Sequence, residues 1–160
     1  MNKQGVFEFL GILFNLTYSV LYLLEIQWCW LFAILGGIFY FILCLKSKLI
    51  GESILQLIYI VGAALVWCWP NSHFETNYTG TAYHLFVLAI SLVIWGISFT
   101  IFKNRKGNLP VLDSFIFSFA ITGTYYQLMY DPINWYYFIC VNLFSIYTYW
   151  KSGMKFSILL

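Results

Sequence analysis

Six apolar runs, at about 6–24, 28–45, 49–69, 83–102, 111–130 and 133–150, occupy most of the chain. Each is long enough to cross a hydrocarbon core as a helix, which takes about 20 residues. The stretches between them are polar and short: Glu25 to Gln27, Lys46 to Lys48, Pro70 to Ala82, Lys103 to Pro110 and Asp131-Pro132. A membrane barrel would alternate apolar and polar residues in pieces of about ten. The predicted fold class is therefore an all-α membrane protein of about six transmembrane helices. Composition excludes a water-soluble domain, because 62% of residues are hydrophobic and 9% charged, against about 25% charged in soluble domains. Glu8 interrupts the first run and no small-residue cleavage site lies around Tyr22 to Ile26, so that run is read as mature helix and not as a signal peptide. Without linkers or low-complexity tails, residues 1–160 are read as one transmembrane domain.

The cations give orientation. Lys3, then Lys46 and Lys48, then Lys103, Arg105 and Lys106, then Lys151 and Lys155 all fall on one side of a six-span layout. The positive-inside rule makes that side cytoplasmic, with both termini there. The expected location is a cell membrane, the bacterial inner membrane. Cys29, Cys44, Cys68 and Cys140 have neither C-x-x-C nor metal-ligand spacing. Cys29 and Cys68 each sit within a Trp-Cys-Trp triplet on the predicted outer face. A disulfide between them is weighed there against an interfacial belt of Trp28, Trp30, Trp67 and Trp69, and the belt is preferred.

Sliding the chain by 105 positions superposes Glu8 on Asp113, Thr17 on Thr122, Trp30 on Trp135, and Lys46-Ser47 on Lys151-Ser152. An offset that spans four helices preserves direction, so the expectation is a parallel repeat. A first three-helix unit (6–69), a linker helix (83–102) and a second, incomplete unit (111–160) follow, a 3+1+3 plan lacking its seventh helix. Parallel repeats are one plan of secondary transporters, with the solute held near the midplane between units.

Polar residues inside the runs fall into stripes. Glu52, Gln56, Tyr59, Ala63 and Trp67 recur at helical spacing on the third run, and Phe138, Asn142, Ser145 and Tyr149 on the sixth. Glu8, Asn15 and Tyr22 share a line on the first, with Asp113 and Gln127 on the matching line of the fifth. Asn15, Tyr59 and Asn142 fall near mid-membrane. Amide, phenol and indole groups at that depth suit a flat, polar, ring-containing solute, and a cationic ring would gain further from Trp and Tyr faces. The competing reading is interhelical glue at about 0.6 kcal/mol per contact, favoured for any single residue. Glu8, Glu52 and Asp113 are expected near the cytoplasmic boundary, paired with lysines or reaching water. His73 and His84 lack metal-ligand neighbours, and no nucleophile elbow, P-loop or dinucleotide motif appears, so neither enzyme, cofactor nor nucleic-acid partner is expected. Asn77-Tyr78-Thr79 reads as a sequon that arises often by chance.

Trp28 to Tyr59 resembles the PnuC-type vitamin transporters. The shared features are a Trp-rich start to helix two, Tyr and Lys near its end, and E-x-x-L-Q-x-x-Y at Glu52, Leu55, Gln56 and Tyr59. Leu112-Asp113 and the run of Phe138, Asn142, Tyr149 and Gly153 resemble the family's W-x3-N-x6-Y-x3-G signature, with Phe in place of Trp. The resemblance spans nearly the whole chain apart from 70–82. It implies a 3+1+3 fold like that of sugar-exporting SWEET proteins and facilitated uptake of nicotinamide riboside, without ion coupling. Similar members carry thiamine or riboflavin. The expected site residues are Asn15, Gln56, Tyr59, Trp67, Asp113, Phe138, Asn142 and Tyr149. Six helices of an implied seven leave open a truncated product, a fragment, or a homo-oligomer in which a neighbouring protomer completes the site. A scaffold or regulator that keeps the fold without transporting is the alternative function.

Overall fold

The computed structural model describes residues 3–68, 80–128 and 131–154; Trp69, His73, the Asn77-Tyr78-Thr79 sequon and Lys155 lie outside them. Six helices follow one another: α1 (Lys3–Leu23), α2 (Cys29–Lys46), α3 (Ile50–Cys68), α4 (Thr81–Asn104), α5 (Pro110–Leu128) and α6 (Asn134–Lys151). Pro110 opens α5 at a position where a missing N–H costs nothing. Lys46, Lys103 and Lys151 lie in the last turns of α2, α4 and α6, where a cation complements the helix dipole.

α2 packs between α1 and α3, α5 packs between α4 and α6, and α3 against α5 joins the two groups. Adjacent glycines give α2 its two partners: a Cβ on Gly36 would strike the Asn15 side chain of α1 at 2.9 Å, and one on Gly37 would meet Ile60 of α3 at 2.7 Å. The lysine-bearing turns share one end of the bundle. There Asn108 N–H donates to the Lys48 carbonyl at 2.8 Å and Asn108 Nδ2 to Ser152 Oγ at 3.1 Å. Lys46 Nζ lies 4.8 Å over the Phe7 ring at the start of α1.

The distribution of polarity is that of a membrane protein. Glu8, Glu52, Asp113, Ser91, Ser114, Ser118, Thr122 and Thr148 are buried, while Leu13, Leu16, Val20, Val61, Leu65, Val93, Ile97 and Leu143 face outward. In water so much exposed apolar surface would drive association; in lipid it meets its own kind. The first four helices are each long and apolar enough to span a membrane, where six such spans were expected. α5 and α6 match α3 and α2 in length but are richer in Ser, Thr, Asn and Tyr. Much of that polarity is turned inward, as at Ser114, Ser118, Thr122, Ser145 and Thr148, so it lowers average hydropathy without being offered to lipid.

One turn occurs twice, 105 residues apart. The N–H groups of Ser47, Lys48 and Leu49 donate to the carbonyls of Leu43, Leu45 and Cys44 at 2.9, 3.1 and 2.9 Å; those of Ser152, Gly153 and Met154 donate to Thr148, Trp150 and Tyr149 at 3.0, 3.2 and 2.9 Å. The closure needs a left-handed residue, Lys48 at φ 57° and Gly153 at φ 76°. Glycine takes that conformation freely and lysine at about 1 kcal/mol. Leu49 and Met154 then enter the same core cluster, with Tyr40, Leu43 and Cys44. At the other end, Ile26 N–H to Leu21 and Asp131 N–H to Tyr126 match in the same way, both at 3.0 Å. Cys29 and Cys68 are free thiols, so the disulfide weighed from the sequence is not formed.

Candidate functional site

α3 starts against α5. Asp113 accepts the N–H of Gly51 at 2.8 Å and of Glu52 at 3.0 Å, one through each carboxylate oxygen. This is helix capping supplied by a residue 61 positions away in the chain, at a helix end that favours an anion. The approach requires Gly51, whose Cβ would lie 2.7 Å from the Asp113 carbonyl and 2.8 Å from the Phe102 ring. Glu52 in turn accepts a hydrogen bond from Ser145 Oγ of α6 at 3.3 Å and has the Tyr149 hydroxyl beside it. The two carboxylates were expected to meet lysines or water at the boundary. Instead Asp113 is 0% and Glu52 4% exposed, and their partners are backbone amides and hydroxyls. The helix packing closes over them and leaves the lysines outside.

From the Glu52–Ser145 contact toward mid-membrane, one turn of each helix, about 5 Å, brings Gln56 on α3 and Asn142 on α6. Gln56 is half-buried and Asn142 exposed, and neither carboxamide has a hydrogen-bond partner among the described residues. Tyr59 leaves 37% of its surface open and turns its hydroxyl to Thr124 of α5. Phe138 lies against Gly123 across the α5–α6 seam, where a Cβ would come within 3.2 Å of its ring. Tyr149 packs against the core cluster of Tyr40, Leu43, Cys44, Leu49 and Met154. Tyr59 thus reaches from α3 to α5 and Tyr149 from α6 to α3, while Gln56 and Asn142 stand one turn along their helices from the Glu52–Ser145 contact.

The other expected residues lie elsewhere. Asn15 donates from Nδ2 to its own helix at the Gly11 carbonyl, 3.0 Å away, and fills the space over Gly36. Trp67 stands about 22 Å along α3 from Glu52, paired with Trp28 at 6.1 Å. Asp113 holds the start of α3 and has both oxygens occupied. Glu52 and Ser145 were absent from the expected site, although each stands on a polar stripe; the stripes mark the faces they share, and only the packing pairs them.

A third group of polar residues joins α4 to α5. Ser91 Oγ and Thr122 Oγ1 are 2.7 Å apart, Ser118 Oγ donates to the Ser91 carbonyl, and His84 Nδ1 meets the Tyr126 hydroxyl at 3.0 Å. These groups satisfy one another and join the helices.

A family model described as nicotinamide mononucleotide transporter matches residues 5–160. Among curated proteins and among solved structures there is no match.

Proposed function

The chain belongs to the nicotinamide mononucleotide transporter family, a family of transporters and not of enzymes, and on that premise we propose that it carries nicotinamide riboside down its gradient between α3, α5 and α6. The observation that carries this reading is the pair Gln56 and Asn142, polar side chains on apolar helices with no hydrogen-bond partner among the described residues. Glue residues find partners, because an unsatisfied amide in lipid costs free energy. An amide left open beside a seam is suited to the hydroxyls and carboxamide of a passing solute. Asn15, Trp67 and Asp113 then serve the scaffold around that path.

In this reading α5 and α6 also cross the bilayer, the lysine-bearing end is cytoplasmic, and residues 6–48 and 111–153 are copies of one parallel unit. The duplicated turns after α2 and α6, matched bond for bond, support the repeat. The gathering of Lys46, Lys48, Lys103, Arg105, Lys106 and Lys151 supports the orientation. An impermeant maleimide should add label to Gln27→Cys in intact cells and to Arg105→Cys only after permeabilisation; the reverse pattern would invert the protein.

Proteoliposomes loaded with buffer should take up tritiated nicotinamide riboside to equilibrium and no further, with thiamine and riboflavin competing weakly. Uptake of thiamine or riboflavin in its place would reassign the solute. Protein that neither binds nor moves any of the three would be a scaffold.

A further inference from the structure

At the end away from the lysines, the last turn of α1 and the first of α2 enclose a shallow pocket of about 400 Å³, lined by Tyr22, Glu25, Gln27 and Trp30 among others. Three rings gather on this side. Tyr18 lies 5.7 Å from Tyr22 and 6.0 Å from Trp30, and Tyr22 meets Trp30 edge-on at 6.0 Å. Glu25 is exposed, sits at φ 55° within a hydrogen-bonded turn, and has no cationic partner among the described residues. The turn holds the Glu25 backbone at the pocket in a conformation that glycine adopts more readily. In the sequence, the segments joining α1 to α2 and α5 to α6 carry Glu25 and Asp131 and neither Lys nor Arg.

Rings alone would be accounted for by an interfacial belt, and the Trp28–Trp67 pair fits that role. A belt has no use for an uncompensated carboxylate beside the rings. Ring faces together with a carboxylate are the chemistry that receives a cation with a large, weakly hydrated surface. We propose that this pocket is a separate receiving site for a small organic cation, a pyridinium or a quaternary ammonium, free in solution. Acidic segments without cations concentrate such solutes near the pocket. The site goes beyond the transport reading and does not depend on it.

The test uses 1-methylnicotinamide, a pyridinium, and nicotinamide, its neutral counterpart, with the purified chain in maltoside micelles. The expected result is tighter binding of the cation by roughly tenfold, with Glu25→Gln and Tyr22→Leu each removing about fivefold of that preference and leaving nicotinamide unchanged. Both side chains are exposed, and unchanged helical circular dichroism will confirm that the variants fold. Equal binding of the two probes, or a preference that survives Glu25→Gln, overturns the proposal. Repeating the measurement in phosphatidylcholine nanodiscs separates the two sources of such a cation. Retained preference supports a soluble ligand, and its abolition gives the pocket to the lipid headgroup and overturns the proposal. Binding of the pyridinium that is lost in Glu25→Gln, by protein that does not move nicotinamide riboside, would support the pocket and count against the transport reading alone.

Discussion

The seam between α4 and α5 and the seam between α3 and α6 are built from the same kinds of residue and treat them differently. Along α4–α5 the polar groups are spent on one another: Ser91 with Thr122, Ser118 with the Ser91 carbonyl, His84 with Tyr126, and Tyr83 with Tyr125. Along α3–α6 the bonding gathers at Glu52, which Ser145 and Tyr149 meet, and one turn further on Gln56 and Asn142 have no hydrogen-bond partner among the described residues. Hydroxyls and amides inside a membrane helix therefore do not separate packing from recognition. In the proposed reading, whether each has a partner does.

The largest expected effect lies at the foot of the α3 seam, where both Asp113 oxygens are used. Asp113→Leu leaves two buried amides without acceptors and should lower unfolding stability in micelles by about 3 kcal/mol. A loss below about 1 kcal/mol would mean that α3 does not need that cap, and the contrast between a tied foot and an open middle would weaken.

Asn142→Leu tests the open middle. Its stability should stay within about 0.5 kcal/mol, as for a residue that holds nothing. Binding of nicotinamide riboside should weaken by about fivefold to a hundredfold, the equivalent of about 1–3 kcal/mol. A folded variant with unchanged affinity would remove Asn142 from the site and make the two seams alike.

The smallest effect belongs to α4–α5. Ser91→Ala should cost about 0.6 kcal/mol of stability, read from the shift of the unfolding midpoint, with uptake unaltered in rate and affinity. A transport defect without a stability loss would place this seam on the solute path as well.

Much of this organisation is legible in the residues. The six helices lie within a few positions of the apolar runs, because hydrocarbon thickness sets helix length and backbone hydrogen bonds must be closed within each helix. The stripes on α3 and α6 were visible as spacing, and the structure brings their members Glu52 and Ser145 into contact. Asn15 and Trp67 were harder to assign, since their stripes name a face but no partner. Asn15 turned to Gly11 and Gly36, and Trp67 to Trp28. The four spans that satisfy length and hydropathy, against six expected, reflect a similar gap: an average over α5 counts Ser114, Ser118 and Thr122 as if they faced lipid, although all three are buried.

Solvent and local geometry act on short stretches, so the sequence by itself determined the helices, the side on which the cations gather and the faces that carry polar groups. Partnership acts across the chain, and only the tertiary structure decided it. Asp113 was an acid near a boundary until α3 arrived with Gly51 and two open amides; Glu52 looked destined for a lysine until α6 covered it with Ser145. A carboxylate near the end of a helix can face water, a cation or a backbone N–H, and its neighbours in sequence are the same in each case. The choice among them is made by residues 61 and 93 positions away, and helical periodicity, which relates positions three and four apart, carries no information over that distance.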